Sequence, residues 1–491
     1  MRTHSLQHFA WLWAALFLPV TLVAQVDSTT RAASRGPAVQ KIATASAVST
    51  ERLGIITSIR ELPDGRVLVN DVMRRRLLLM DSTMKVVGVV LDSLSEVANA
   101  YGPRPGALIP YRGDTTFFVD PASYAIVVLD AAGKIVRVRS VWRVQDLPYF
   151  TSFSGPYGVP GPDARGRIIY RIPAQAAPSR VRPPAGFPFF PDQPDSAFVV
   201  AVNLDTRRLD TLGVIRTPKA ERRIRQTADR SFTIDAVANP LPFTDEWAVL
   251  PDGTVAFVRG LDYRVEYLHP DGARTSSAKQ PFDWQRLTDE DKQRLIDSVT
   301  VAQRKQNANN FVTAVIRWVN QYGKGYPKDF VVPEGYVLQP GLPKDWILPA
   351  GVKFPPNYLY ACPPGVNPLT DGAAMPTCFP APISFSSGQT PPPPTPRPVM
   401  VVAAADLPDY RPPFPAGSVR ADLEGNLWIR TNPMKPTPGG PVFDIISPQG
   451  GLINRLQLPP GYAIAGFGRG KVVYLTTRDA TGIHLARVRL R

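Results

Sequence analysis

Apolar residues in this chain come in short bursts separated by polar turns. Val67-Leu68-Val69, Leu77-Leu78-Leu79 and Phe117-Phe118-Val119 are too short for helices and nearly continuous, as expected of strands in sheets buried on both faces. Asp64-Gly65, Asp252-Gly253 and Asp271-Gly272 supply the positive φ angles that tight hairpins require. The pattern recurs from Pro63, Gly113, Pro251, Glu424 and Gly470, with a looser copy spread over Gly166 and Ser196. Each copy reads as a turn, a β-branched or aromatic run, a polar turn and a second run, mostly followed by a third.

A further strand precedes most copies: Gly54 to Ile59, Trp247 to Leu250, Ser418 to Ala421 and Tyr462 to Gly466. Four strands per unit and six units predict an all-β, six-bladed β-propeller. Blade cores are expected at 53–92, 107–144, 157–216, 245–278, 417–458 and 461–491. The last unit supplies only three strands, so its outer strand is expected from Val39 to Val48, closing the ring and removing a sheet edge.

The spacing breaks twice. Ile172 to Pro194 interrupts blade three, and residues 279–408 separate blades 1–4 (53–278) from blades 5–6 (409–491). In an up-down meander both connection types lie at one end of the ring. The expected ligand route therefore passes Asp71, Asp120, Arg171, Arg259 and Arg430 under the cover of 279–408. That insertion opens as a helix, with Thr288 as cap and Asp289, Glu290 and Asp291 in the first turn. The polar stretch Gln306 to Asn310 is expected to break it. Beyond Gly323, proline and interleaved aromatics predict loop and extended chain, with Pro391 to Pro396 as a polyproline II tether.

Composition refines this. The 54 prolines among 491 residues are about 11%, against a usual ~5%, and concentrate in the insertions. Residues 1–25 read as an export signal: Arg2, an apolar run from Phe9 to Ala24, and a cleavage point after Ala24 or Gln25. The mature chain, with residues 26–52 as an N-terminal segment, is expected to be secreted or periplasmic. In that compartment Cys362 and Cys378 are expected to pair as a local staple. Of four histidines, His269 and His484 lie outside the leader, each in a strand context, too few for a His-rich zinc site. The net charge of +15 comes in short runs such as Arg74-Arg75-Arg76 and Arg222-Arg223, without the stripe and stacking aromatics of a nucleic-acid surface. Surface solvation, or attraction to an anionic envelope polymer, is the better account.

The stretch VLVNDVMRRRLLLMD resembles the NHL-type repeat, in which a strand ends in Asp and an Arg opens the next; Asp71 and Arg76 take those places. ADLEGNLWIRT, from Ala421, is similar to that family's Asp-x-x-Gly-Asn-aromatic strand entry. The resemblance covers about 300 residues. It implies a propeller that binds ligands or protein partners, since most of the group do; a minority of six-bladed relatives are metal-dependent lactonases or lyases. The leading expectation is a ligand- or protein-binding scaffold without a cofactor. The candidate channel-face residues are Asn70, Asp71, Asp120, Arg171, Arg259 and Arg430, with no resident metal. The alternative is a lactonase-type hydrolase holding calcium or magnesium through donors among Asn70, Asp71, Asp120, Asp245 and Glu246. The Glu-Gly-Pro entry motif of gluconolactonases is absent from the sequence, as are Asp-x-Asp-x-Asp calcium loops.

Overall fold

The hairpin turns fold back as their residues require. Gly65, Gly253 and Gly425 sit at φ +83°, +86° and +84°, where a side chain is strained. The carboxylates of these turns accept backbone N–H bonds two residues on: Asp64 from Arg66 (3.0 Å), Asp252 from Thr254 (2.9 Å) and Asp422 from Glu424 (3.0 Å).

The computed structural model describes residues 36–93, 99–151, 157–174, 194–219, 221–226, 232–322, 336–338, 347–349, 360–361, 379–380, 397–432, 438–479 and 482–490. Two short strands, β1 (Val39–Lys41) and β2 (Ala47–Val48), precede the ring. Blade one is β3 (Ile56–Glu61), β4 (Val67–Asp71), β5 (Arg76–Met80) and β6 (Val86–Leu91). Blade two is β7 (Ala107–Pro110), β8 (Thr116–Asp120), β9 (Ala125–Leu129) and β10 (Ile135–Ser140). A short helix α1 (Leu147–Phe150) leads to blade three: β11 (Gly161–Pro162), β12 (Ile168–Pro173), β13 (Ser196–Val202) and β14 (Leu209–Arg216). A hairpin, β15 (Arg222–Gln226) with β16 (Phe232–Ala236), follows before blade four: β17 (Glu246–Val249), β18 (Val255–Arg259), β19 (Arg264–Leu268) and β20 (Arg274–Ser276). Helix α2 (Asp289–Tyr322) opens the large insertion. It also contains two strand pairs, β21 (Tyr336–Leu338) with β22 (Ile347–Pro349) and β23 (Tyr360–Ala361) with β24 (Phe379–Pro380). Blade five is β25 (Val419–Ala421), β26 (Leu427–Arg430), β27 (Val442–Ile446) and β28 (Leu452–Gln457); blade six is β29 (Ala463–Gly468), β30 (Val472–Asp479) and β31 (Gly482–Arg489). The molecule is a six-bladed β-propeller of antiparallel meanders.

The apolar runs are continuous because each blade is packed on both sides. Val67 and Val69 of β4 face blade six, beside Val472 and Tyr474. Leu68 between them faces blade two, beside Leu108 and Phe118. The other four seams repeat this arrangement, so alternate side chains of every second strand enter different cores. Gly466 marks one close approach: a Cβ there would stand 2.5 Å from Cγ1 of Ile59 across the seam that joins the last blade to the first.

Ring closure differs in detail from the expectation of one strand over Val39 to Val48. β2 pairs antiparallel with β31, Ala47 opposite Arg487, and supplies the fourth strand of blade six. β1 instead lies parallel to β28 with Val39 opposite Arg455, as a fifth strand on blade five. The chain between them crosses the seam, and Ile42, Ala43 and Ala45 pack against its core.

The expected helix break is also absent: α2 runs unbroken through Gln306 to Asn310. Polar residues such as Gln306 retain adequate helix propensity, and its amide bonds Asn310 Oδ1 one turn on (3.1 Å). The start is a reciprocal capping box. Asp291 N–H donates to Thr288 Oγ1 (3.1 Å), and Thr288 N–H donates to Asp291 Oδ2 (3.0 Å). The export signal (1–25) and the Cys362/Cys378 pair lie outside the described residues.

Candidate functional site

The first strands of the blades surround the axis. Residues of β3, β7, β11, β17, β25 and β29 together line one central cavity of about 510 Å³, a volume suited to a small molecule. The cavity reaches the end where first and second strands are joined, since Arg112, Gly113, Ala164, Pro251 and Leu423 of those turns border it. Both insertions leave the ring at the other end, one between β12 and β13, the other between β20 and β25. There a second hollow of about 660 Å³ lies over blades one and two, lined by residues including Ile55, Val72, Arg104 and Pro121; Thr57 borders both spaces.

The central lining is mainly apolar, with Ile59, Leu108, Val249, Val419 and Phe467, and two arginines stand in it at one repeat position. Arg60 pairs across β3 and β4 with Leu68, and Arg420 across β25 and β26 with Trp428. Each is five residues before its turn glycine, Gly65 or Gly425. Phe467, opposite Val473, holds the matching place in the blade between them. The Asp114 carboxylate stands 3.7 Å from Arg60. Burial lowers the Arg60 pKa, with Asp114 and Glu61 opposing the shift. Arg420 has no hydrogen-bond or ion-pair partner among the described residues. Withdrawal from bulk water alone lowers its pKa; no carboxylate is close enough to offset it.

The carboxylates bordering this cavity are already engaged. Asp163 takes the N–H groups of Arg165 and Arg167 and the Arg167 Nε (2.7 Å). Asp422 accepts from Asn426 Nδ2 (2.9 Å) and Trp428 Nε1 (3.0 Å). Asp114 is bonded by Arg469 (2.6 Å). Among the described residues no three His, Cys, Asp or Glu side chains converge to hold a metal ion. Calcium and magnesium need several oxygen donors, and the three carboxylates bordering this channel already accept protein donors.

None of Asn70, Asp71, Asp120, Arg171, Arg259 and Arg430 lines the central cavity. All six stand on second strands, toward the insertion end. The fully buried Asn70 amide donates to Gly106 O (2.9 Å) and its oxygen accepts from Tyr101 Oη (2.9 Å). Asp71 accepts the N–H groups of Gly54 (3.0 Å) and Arg74 (3.2 Å), with Arg76 at 3.8 Å. Asp120 accepts from Ala122 N and Ser123 Oγ. Arg259 forks onto Glu266 (2.9 and 2.7 Å) and reaches Asp245 (2.9 Å). Arg430 ends β26, exposed. Val72 and Pro121, the chain neighbours of Asp71 and Asp120, line the second hollow, but Asp71 and Asp120 themselves do not.

Arg171 and Glu246 influence each other's charge, as Arg259 and Asp245 do by direct contact. Glu246 begins β17, is 1% exposed, and accepts the Gly417 N–H at the entrance to blade five (2.8 Å). Its Oε2 has no hydrogen-bond partner among the described residues. Burial pushes its carboxyl up to about 7, against the opposing influence of the Gly417 N–H and Arg171. The Arg171 guanidinium lies over the Tyr157 ring, 4.9 Å from its centre. Sequence reading missed Arg60 and Arg420; the signal available was the shared Ser-x-Arg-x-x-x-x-Gly spacing of Ser58 to Gly65 and Ser418 to Gly425.

No protein-family model and no curated protein matches the sequence. Among solved structures, a gluconolactonase of Xanthomonas campestris is similar at 12% identity, over 92% of this chain and 98% of that one, with a TM-score of 0.31. Regucalcin, a calcium-binding protein of Agrobacterium tumefaciens, is similar at 10% identity over 92% and 98%, with a TM-score of 0.34. Virginiamycin B lyase of Staphylococcus aureus is similar at 12% identity over 48% and 72%, with a TM-score of 0.24. At these scores the similarities carry no argument about chemistry, and the six-bladed form rests on the sheets themselves.

Proposed function

We propose that this chain is an exported, NHL-type propeller that binds a small molecule in its central channel, entered from the hairpin-turn end. The observation that carries the reading is the single cavity bordered by the first strands of all six blades, apolar in most of its lining and charged at a few points. The NHL assignment is supported by Asp71 and Arg76, which stand directly opposite each other in the β4–β5 ladder. A lactonase-type hydrolase is the other reading, and gluconolactonases are among the proteins of similar fold. It requires a set of free oxygen donors on the axis, whereas the carboxylates there are bonded to turns and arginines.

The test is a thermal-shift screen of small metabolites, run in parallel on the wild type and on Leu423→Trp, which adds bulk at the turn-end mouth. Compounds that stabilise the wild type are expected to lose their effect in the variant. Hits that stabilise both equally would place binding elsewhere. Turnover of a lactone panel that depends on added calcium would favour the hydrolase.

A further inference from the structure

The cavity lining holds an arginine without a direct partner among the described residues. Arg420 stands in the lining without a carboxylate, hydroxyl or carbonyl partner among the described residues. Arg60 looks into the same space from the equivalent place in blade one, and its nearest carboxylate, Asp114, is held more closely by Arg469 (2.6 Å against 3.7 Å). A part-buried guanidinium without a partner is less well solvated than one on the open surface. A Met or Leu at this position would fill the same space without that loss. The unpartnered guanidinium therefore keeps its donors available for an anion that arrives from outside.

The rest of the lining constrains that anion. Phe467 lies between the two arginines in blade order, and Leu108, Val249 and Val419 continue the apolar wall. A planar guanidinium matches the two oxygens of a carboxylate or phosphate bidentately. The apolar wall matches a hydrocarbon or aromatic body, and about 510 Å³ admits one such molecule. Resting on the channel reading above, we infer that the ligand is an amphipathic organic anion: one carboxylate or phosphate group held by Arg420 and Arg60, with an apolar body against Phe467.

The experiment is titration calorimetry at low ionic strength and pH 7 on the full chain. The probes are benzoate, phenyl phosphate, inorganic phosphate and the neutral benzyl alcohol. The proteins are the wild type, Arg420→Met, Arg420→Lys and Leu423→Trp. Arg420→Met removes a desolvated charge, and its folding is verified by an unchanged circular dichroism spectrum and a melting temperature no lower than the wild type's. The expected result is that benzoate or phenyl phosphate binds more tightly than either inorganic phosphate or benzyl alcohol. Arg420→Met should weaken that binding at least tenfold, Arg420→Lys less, and Leu423→Trp should block it. Equal affinities of wild type and Arg420→Met for the anions would overturn the inference, and so would no anion binding up to ~10 mM. Benzyl alcohol binding that Leu423→Trp blocks and Arg420→Met leaves alone would overturn the anion while sparing the channel. Anion binding insensitive to both variants would remove both readings.

Discussion

At the scale of single residues, charged groups divide by what they face. Asp71 has the features of a ligand donor in the sequence, a carboxylate at a strand end. In the fold its oxygens are taken by Gly54, Arg74 and Arg76, and it is fully buried. Asp71→Ala leaves two backbone N–H groups without acceptors and should destabilise by about 2–3 kcal/mol, read as a fall in the denaturant midpoint at constant slope. Binding in the central channel should survive, since Asp71 does not border it. Glu246 leads to a pH dependence. Its carboxyl is pushed up to about 7 from an ordinary 4.5. Between those values the native chain holds a proton that the unfolded chain has released, so this group's contribution falls as pH rises through the window and stays low above it. Glu246→Gln keeps an acceptor for Gly417 and removes the titration. Relative to the wild type, the variant should gain on the order of 2–3 kcal/mol between pH 5 and pH 8. A wild-type-minus-variant difference that is flat across that range would contradict the assignment.

At the scale of elements, the blades were legible because each obeys local rules that agree with the global packing. Asp-Gly turns fix the hairpins, and a period of two sends Val67 and Val69 to one seam and Leu68 to the next. Elements without such a signature were not legible. β1 has three exposed residues, Val39, Gln40 and Lys41, which say nothing about which edge they join. β15 is read in sequence as a charge run, Arg222-Arg223, because its sequence RRIRQ has a single apolar residue and so no apolar pattern. The channel arginines were hidden for a related reason: period two marks which side chains share a face of β3 or β25, but not which face meets the axis. Closure depends on β2 and its flank. Ser49 N–H donates to Leu485 O (2.8 Å), Ser49 Oγ accepts from Leu485 N–H (2.9 Å), and the His484 ring bonds Ser49 O (2.9 Å). Deleting 36–41 removes β1 alone and should lower the melting temperature by only a few degrees. Deleting 36–50 also exposes the edge of blade six and should lower it by about 8 °C or more. Equal effects of the two deletions in a calorimetric scan would show that β2 does not close the ring.

At the scale of the whole molecule, the two ends of the ring are built differently. The insertions leave from one end and the central cavity reaches the turns of the other, so the expected route beneath residues 279–408 is not needed to reach Arg420. The insertion also has a stalk that belongs to the ring. Leu295 and Ile296 of α2 pack on Val237, Leu241, Leu287, Val402 and Leu407. Lys292 Nζ bonds Asp409 (2.9 Å), and Val402 N–H donates to Ala238 O (3.0 Å). The strands of chain entering and leaving meet again at Asn307, whose amide donates to Arg397 O (3.3 Å) and Pro398 O (3.2 Å). A cut can therefore be made there. Replacing residues 310–396 by a short Gly/Ser linker removes Cys362, Cys378 and the polyproline run while keeping the stalk. The variant should fold to the same β-rich circular dichroism spectrum, melt within about 5 °C of the full chain, and bind the channel anion within about twofold. If it folds but loses that binding tenfold, the removed segment reaches the channel and the two ends of the ring do not act separately. If it fails to fold, restoring 310–322 tests whether the buried Val315 of α2 was the missing support.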